Sequence, residues 1–195
     1  MGLEQIPVDI RNKFDVHEWN HAIAILQNDF PNEWRDLMDM LSAFSIPMEW
    51  ITSPGGNKSL IAGWVDDFLC VQRGWAEKKF DTRVVVDGEA HDSPTHKIDC
   101  YRNRIAVELE WNNKDPFFDR DLNNFRLLFD LHAVSVGIII TRCDDLQEVF
   151  DSVGKGSSYG NSTTHMSKLV PRIEGGGGAG CPILVFGIRK TCIKE

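Results

Sequence analysis

The chain has 195 residues, of which 42% are hydrophobic, 10% aromatic and 26% charged, the composition of an ordinary single globular domain. That excludes a disordered tail, a collagen-like chain and a coiled-coil rod. It also excludes a membrane span, since no stretch approaches ~18 consecutive apolar residues. The formal net charge of −8 weighs against nucleic-acid binding but is uneven: 4 basic against 9 acidic residues over 1–60, 11 against 17 over 61–150, and 6 against 3 over 151–195.

Exposed charges more than ~8 Å apart are largely screened at cellular salt, so an acidic average is compatible with a local basic cleft. The first 16 residues lack the basic-then-apolar order of a secretory signal. The five cysteines (Cys70, Cys100, Cys143, Cys181, Cys192) are scattered and never in a C-x-x-C pair. They predict reduced thiols in a cytoplasmic protein, not a disulfide framework or a zinc knuckle.

Taken in chain order, the N-terminal third reads helical. Trp19, Ala22, Ile23 and Leu26 recur at helical spacing, and after Asp29 and Pro31 a second stripe runs through Trp34, Leu37, Met38, Leu41 and Phe44. His17 and His21, four apart, are placed on the surface of the first of these helices. Residues 53–57 form a loop by composition, and 58–73 a third helix with Leu60, Ile61, Trp64, Phe68 and Leu69 inward. Residues 54–59 have a faint P-loop character but lack the Gly before Lys and a preceding apolar strand.

The period then changes from 3.6 to 2. Residues 83–86 read as a strand ended by Asp87-Gly88, and 97–101 and 104–111 as two strands of a hairpin joined at Arg102-Asn103. An amphipathic helix over 117–132 leads into 134–140, apolar enough for a buried central strand. Residues 154–164 form a polar loop, 166–173 a short helix, 175–178 a mobile tetraglycine and 182–186 a last buried strand. The order predicts an α/β fold, a central mixed β-sheet flanked by helices in one domain, with a helical part over 1–75 and a catalytic sheet core over 80–190.

Side chains alternate faces along a strand, so Glu108 and Glu110 point to the same side. Like charges at that spacing among apolar neighbours are unfavourable unless a cation or solvent compensates. Asp99, nine positions before Glu108, comes level with that strand across the hairpin, so three carboxylates can converge on one patch of sheet. Hard cations such as Mg²⁺ take oxygen ligands, and such a cluster suits a metal-dependent phosphodiester hydrolase. By spacing alone, a solvated sheet face accounts for the two glutamates more readily.

The segment Asp99-Cys-Tyr-Arg-Asn-Arg-Ile-Ala-Val-Glu108-Leu-Glu110-Trp resembles the PD-(D/E)xK nuclease core. More narrowly it resembles type II restriction endonucleases of the BglII and BstYI kind, in which an Asp stands nine positions before the Glu of a Glu-Val-Gln-Phe strand. The resemblance covers most of the chain piecemeal. Asn20-His21-Ala22, Ile25-Leu26 and Trp34 are similar to that family's first two helices, Gly74-Trp75 to the close of the next, 136–141 to a Val-Ala-Ile-Ile-Ile-Thr strand and 182–188 to the terminal strand.

What the resemblance implies is a restriction-endonuclease-like fold and a homodimeric enzyme that cuts double-stranded DNA at a short palindrome by metal-activated water. The implied cofactor is Mg²⁺, with Mn²⁺ or Ca²⁺ able to substitute in binding. Asp99, Glu108 and the backbone carbonyl of Leu109 become the metal ligands, and Asp99, Glu108, Glu110 and Glu77 the catalytic set. Glu77 falls near where these enzymes place an additional polar residue from a helix. Glu110 departs from the close relatives, which carry Gln there, and from the wider superfamily, which carries Lys; the Glu-x-Glu form is similar to BamHI.

Asn112, Asn113 and Lys114, and later Ser157, Ser158, Tyr159 and Asn161, correspond to the segments with which these enzymes read DNA. Lys78, Lys79, Arg102, Arg104, Lys155, Lys168 and Arg172 are candidate phosphate contacts. The nearest relatives further imply a GATC-centred site with four-base 5′ overhangs and a cognate methyltransferase that acts alongside without a stable complex. Two rivals stay open at this point: a DNA-binding module that keeps the fold without catalysis, and a repair or structure-selective nuclease.

Overall fold

The computed structural model describes residues 2–53, 59–92 and 95–194; the P-loop-like residues 54–58, and Ser93 and Pro94, lie outside the described residues. A short helix α1 (Val8–Lys13) passes directly into β1 (Phe14–Trp19). Trp19 therefore ends a strand instead of opening a helical stripe. Phe14 and Val16 pack into the core, and β1 pairs antiparallel with a distant segment, Phe14 opposite Ile188 and Trp19 opposite Ile183. Asn20 and His21, at φ 53° and 59°, make the turn into α2 (Ala22–Asp29). His17 thus lies on a strand and His21 in a turn, not together on a helix.

Next, α3 (Pro31–Ala43) starts on Pro31, whose missing N–H costs nothing at a first helical position, and buries Leu37, Met38 and Leu41. A two-residue strand, β2 (Ile46–Pro47), and a single turn of helix, α4 (Met48–Thr52), follow. In α5 (Leu60–Asp66), Ser59 caps the start by accepting from the Ala62 N–H at 3.0 Å, and the helix continues as a π-helical turn over Asp67–Gln72.

After β3 (Ala76–Lys78), β4 (Arg83–Val86) and β5 (Glu89–Asp92) make a two-stranded ribbon turned at Asp87-Gly88, both at positive φ. The partner strand β5 carries almost no apolar pattern, which hides it in the sequence. The expected hairpin is formed by β6 (Ile98–Arg102) and β7 (Ile105–Glu110), with its turn at Asn103-Arg104 (φ 44° and 70°), one residue later than expected.

The long helix α6 (Pro116–Asp130) then connects β7 to β8 (Val136–Arg142), which runs parallel to it. Two helices, α7 (Leu146–Ser152) and α8 (Met166–Glu174), precede β9 (Ile183–Ile188), parallel to β8, and β10 (Ile193–Lys194) closes beside β2.

The six-stranded sheet has the order β1-β9-β8-β7-β6-β3, parallel at its centre and antiparallel at both ends. It is the expected mixed sheet flanked by helices, although β1 and β3 fall outside the 80–190 stretch expected to hold it. One face packs Leu26, Leu37, Leu41 and Phe150 against Val107, Ile138 and Phe186. The other packs Phe118, Leu122 and Phe125 of α6 and Leu169 of α8 against Ala106, Ile139 and Val185. Burial on both faces is why β8 reads as a continuous apolar run.

Close packing sets the glycines on the α6 side. A Cβ on Gly137 would lie 2.3 Å from the Phe125 ring, so α6 sits hard against β8 only because that position is bare. The tetraglycine, expected to be a mobile connection, forms a hydrogen-bonded turn with residues 175–177 exposed and Gly178 buried. The Gly177 N–H donates to the Arg172 carbonyl at 2.8 Å, and a Cβ on Gly178 would lie 2.4 Å from Ile183 Cδ1.

Candidate active site

Along the β6–β7 hairpin Cys100 stands opposite Val107, which puts Asp99 beside Glu108 at the next step. The two are tied across the strands: the Asp99 N–H donates to Glu108 Oε2 at 3.3 Å, and the Leu109 N–H donates to Asp99 Oδ2 at 2.9 Å. Strand β7 is buried along its whole length, leaving Glu108 1% and Glu110 2% exposed. The solvated-face reading of these glutamates is therefore excluded.

Helix α6 supplies what faces them. Asp121, 0% exposed, falls on the apolar stripe of Phe118, Leu122 and Phe125 and so points at the sheet. Arg120 Nη2 donates to both Asp121 Oδ1 (2.9 Å) and Glu110 Oε1 (3.1 Å), and the guanidinium lies over the Phe117 ring. Asn113 Nδ2 donates to the other Glu110 oxygen at 2.6 Å. His96, just before β6, brings Nε2 to 3.6 Å from Glu108 Oε1 and 3.7 Å from Asp121 Oδ1.

Packing carboxylates this densely away from water shifts their proton affinities upward. Burial pushes Asp99 up to about 6, with the Asp66 and Asp121 charges adding to it against the Leu109 N–H. Burial and then Asp121 push Glu110 up to about 9. Glu108 rises well above the ordinary carboxylate range for the same reasons, burial first, then Asp121 and Asp99. Burial, reinforced by the Arg120 charge, pushes His96 down to about 4.

A cleft of about 1210 Å³ opens over this cluster. Asp99, Leu109, Glu110, Glu77, Asn112, Asn113 and Tyr159 line it, while Glu108 lies behind its surface. Glu77 sits on the edge strand β3 instead of a helix, exposed and ion-paired with Lys97 at 2.9 Å. The acids that the preceding helix does bring to the cleft are Asp66, at the end of α5, and Asp67, which opens its π-helical continuation.

The two polar segments, separate in sequence, meet in space. The Thr164 N–H donates to the Asn113 carbonyl at 2.9 Å, the Asp115 N–H donates to the Ser162 carbonyl at 3.1 Å, and Lys114 bridges to Thr163. Asn112, Asn113, Lys114, Ser157, Ser158 and Asn161 are exposed along this edge. Tyr159 is buried, stacked on Phe150 with ring centroids 3.9 Å apart, and its hydroxyl accepts from Trp111 Nε1. Of the basic candidates, Arg102 is ion-paired with Glu33 and Asp36, Lys168 with Asp115, and Arg172 with Asp115 and Asp119.

The chain matches the family described as Restriction endonuclease BglII/BglIII over residues 14–188. The match begins on the first residue of β1 and ends on the last of β9, so it spans the whole six-stranded sheet. The chain belongs to this family. No curated protein matches it. Family membership makes the protein a nuclease that binds DNA and cuts it at specific sequences, in a class that generally uses a divalent metal.

The residues present fit such an ion. Asp99 and Glu110 line the cleft with carboxyl oxygens, the donors a hard dication takes, and Glu108 Oε1 is buried behind them without a hydrogen-bond partner. No described helix is long and apolar enough to cross a membrane. His96, Arg120, Asp121 and Asp66 were not legible as site residues in the sequence. The one available signal was Asp121 itself, an acid on the apolar stripe of an amphipathic helix.

Proposed function

We propose that the protein is a Mg²⁺-dependent type II restriction endonuclease, acting as a homodimer on a short palindrome in double-stranded DNA. The observation that carries this reading is the meeting of Asp99, Glu108 and Glu110 beneath one cleft in a chain of the BglII/BglIII family. Asp99, Glu108 and the Leu109 carbonyl would hold the ion. When bound, it supplies positive charge at the scissile phosphate and a water of lowered pKa.

Glu110, fixed by Asn113 and Arg120, would orient the attacking water, and would accept a proton from it once the charge of a bound ion offsets the burial that holds its own proton. Asn113 thereby couples the loop after β7 to the reacting centre. Glu77 contributes a further carboxylate at the rim of the cleft. Asn112, Lys114, Ser157, Ser158 and Asn161 reach base edges, while Tyr159 holds that edge in place through Phe150 and Trp111. A two-fold dimer gives one active site per strand of a palindrome. The site read is GATC-centred and the cut leaves four-base 5′ overhangs. The enzyme works in the cytoplasm beside a methyltransferase that protects the same sequence.

Digestion of plasmid DNA tests each level of this reading. Discrete fragments in Mg²⁺, none in EDTA, and sequenced ends sharing a palindrome with GATC at its centre are expected. A smear overturns site specificity, absence of cutting overturns the catalytic reading, and discrete ends lacking GATC overturn only the sequence assigned.

A further inference from the structure

His96 precedes β6, Glu108 lies on β7 and Asp121 on α6, yet one donor atom from each falls within 4.8 Å of the other two. Each side chain keeps a buried atom without a hydrogen-bond partner: His96 Nε2, Glu108 Oε1 and Asp121 Oδ2. The two carboxylates divide their oxygens. Glu108 Oε2 accepts from the Asp99 N–H and Asp121 Oδ1 from Arg120, which leaves Glu108 Oε1 and Asp121 Oδ2 without partners at the cluster.

A proton on His96 does not relieve this arrangement. Oxygen–nitrogen hydrogen bonds lie at ~2.7–3.2 Å, and His96 Nε2 stands 3.6 and 3.7 Å from the two carboxyl groups. Donors at ~2.0–2.2 Å from one ion in tetrahedral directions are ~3.3–3.6 Å apart, close to the 3.6 Å between His96 Nε2 and Glu108 Oε1, while Asp121 approaches Nε2 at 3.7 Å through Oδ1, the oxygen it shares with Arg120. Asn124, one helical turn after Asp121, donates to the His96 carbonyl at 3.3 Å, so α6 both provides a ligand and holds another in place.

We propose that His96, Glu108 and Asp121 form a cation site of their own, sharing only Glu108 with the Asp99 and Leu109 side of the strand. One imidazole and two carboxylates suit a first-row transition dication over Mg²⁺, which prefers oxygen donors and retained water. The site does not depend on the protein being a palindrome-cutting enzyme, and its test reads binding, not cleavage.

The experiment titrates metal-stripped protein with Co²⁺ and follows its visible d–d absorption, with Mg²⁺ as competitor. DNA cleavage in Mg²⁺ is assayed in parallel. The native sequence is expected to give nitrogen-ligated Co²⁺ bands that Mg²⁺ displaces poorly. His96→Ala, His96→Gln and Asp121→Asn are expected to weaken Co²⁺ binding at least about tenfold, while Asp99→Ala keeps the bands. Thermal melting identifies any variant that fails to fold, and the remaining two then decide. Bands unchanged in the folded His96 and Asp121 variants, or none in the native protein, overturn the site. Loss of cleavage with the bands intact would count against the proposed function alone.

Discussion

Glu110 commits both carboxylate oxygens to neighbours, one to Asn113 and one to Arg120. Glu110→Gln can still accept at one oxygen, so partial cleavage is expected. Glu110→Ala frees Asn113 and leaves Arg120 with Asp121 alone, and cleavage should fall much further. Full activity of Glu110→Ala in a plasmid assay would show that it takes no part. Asp99 and Glu108 differ because they hold one another across the hairpin. Asp99→Ala or Glu108→Ala should lower the cleavage rate about 10³-fold or more, equivalent to ~4 kcal/mol of transition-state stabilisation. DNA binding, followed by fluorescence anisotropy, should persist or tighten, since a negative charge facing the phosphate has gone. Near-normal cutting by either variant would remove both from the site.

Helix α6 is the element on which the site depends, because it carries Arg120, Asp121 and Asn124 over the carboxylates of β7. Its distance from the sheet is set by Phe125 lying over Gly137. Gly137→Ala forces a methyl group into that ring. The expected cost is ~1–3 kcal/mol, with a melting temperature lower by about 2–4 °C per kcal/mol. An unchanged melting curve would mean that α6 has slack. Amphipathic α6 and the hairpin were both legible beforehand, since helical spacing and a nine-residue separation are local signals. Strand β1 was not, because its partner lies at the other end of the chain. The helical stripe that follows absorbs Trp19.

At the scale of the whole molecule, the buried carboxylates tie stability to pH. Asp99 and Glu110 keep their protons to about 6 and about 9 in the folded state, whereas the unfolded chain releases them near ~4. Between those values the folded protein binds more protons than the unfolded one, so stability falls as pH rises. The loss runs from about 4 to 6 for Asp99 and on towards 9 for Glu110. Melting temperature in EDTA should therefore decline from about pH 5 to pH 8.5, and saturating Mn²⁺ should flatten that decline by stabilising the ionised carboxylates. A level profile in EDTA would show that the carboxylates are better solvated than their burial implies.

Sequence alone determined the sheet-and-helix architecture and the hairpin that brings Asp99 level with residues 106–108, because period, turn chemistry and a short hairpin act between near neighbours; the turn at Asn103-Arg104 then set Asp99 against Glu108. Tertiary structure decided everything that depends on what a face meets. The glutamates became buried because α6 covers them, and His96 and Asp121 joined them from two other elements. The loops at 112–115 and 160–164 became one edge through backbone bonds. Periodicity reports which side chains share a face; only packing over long separations fixes what stands opposite, and in this protein the charge of the site lies in that opposition.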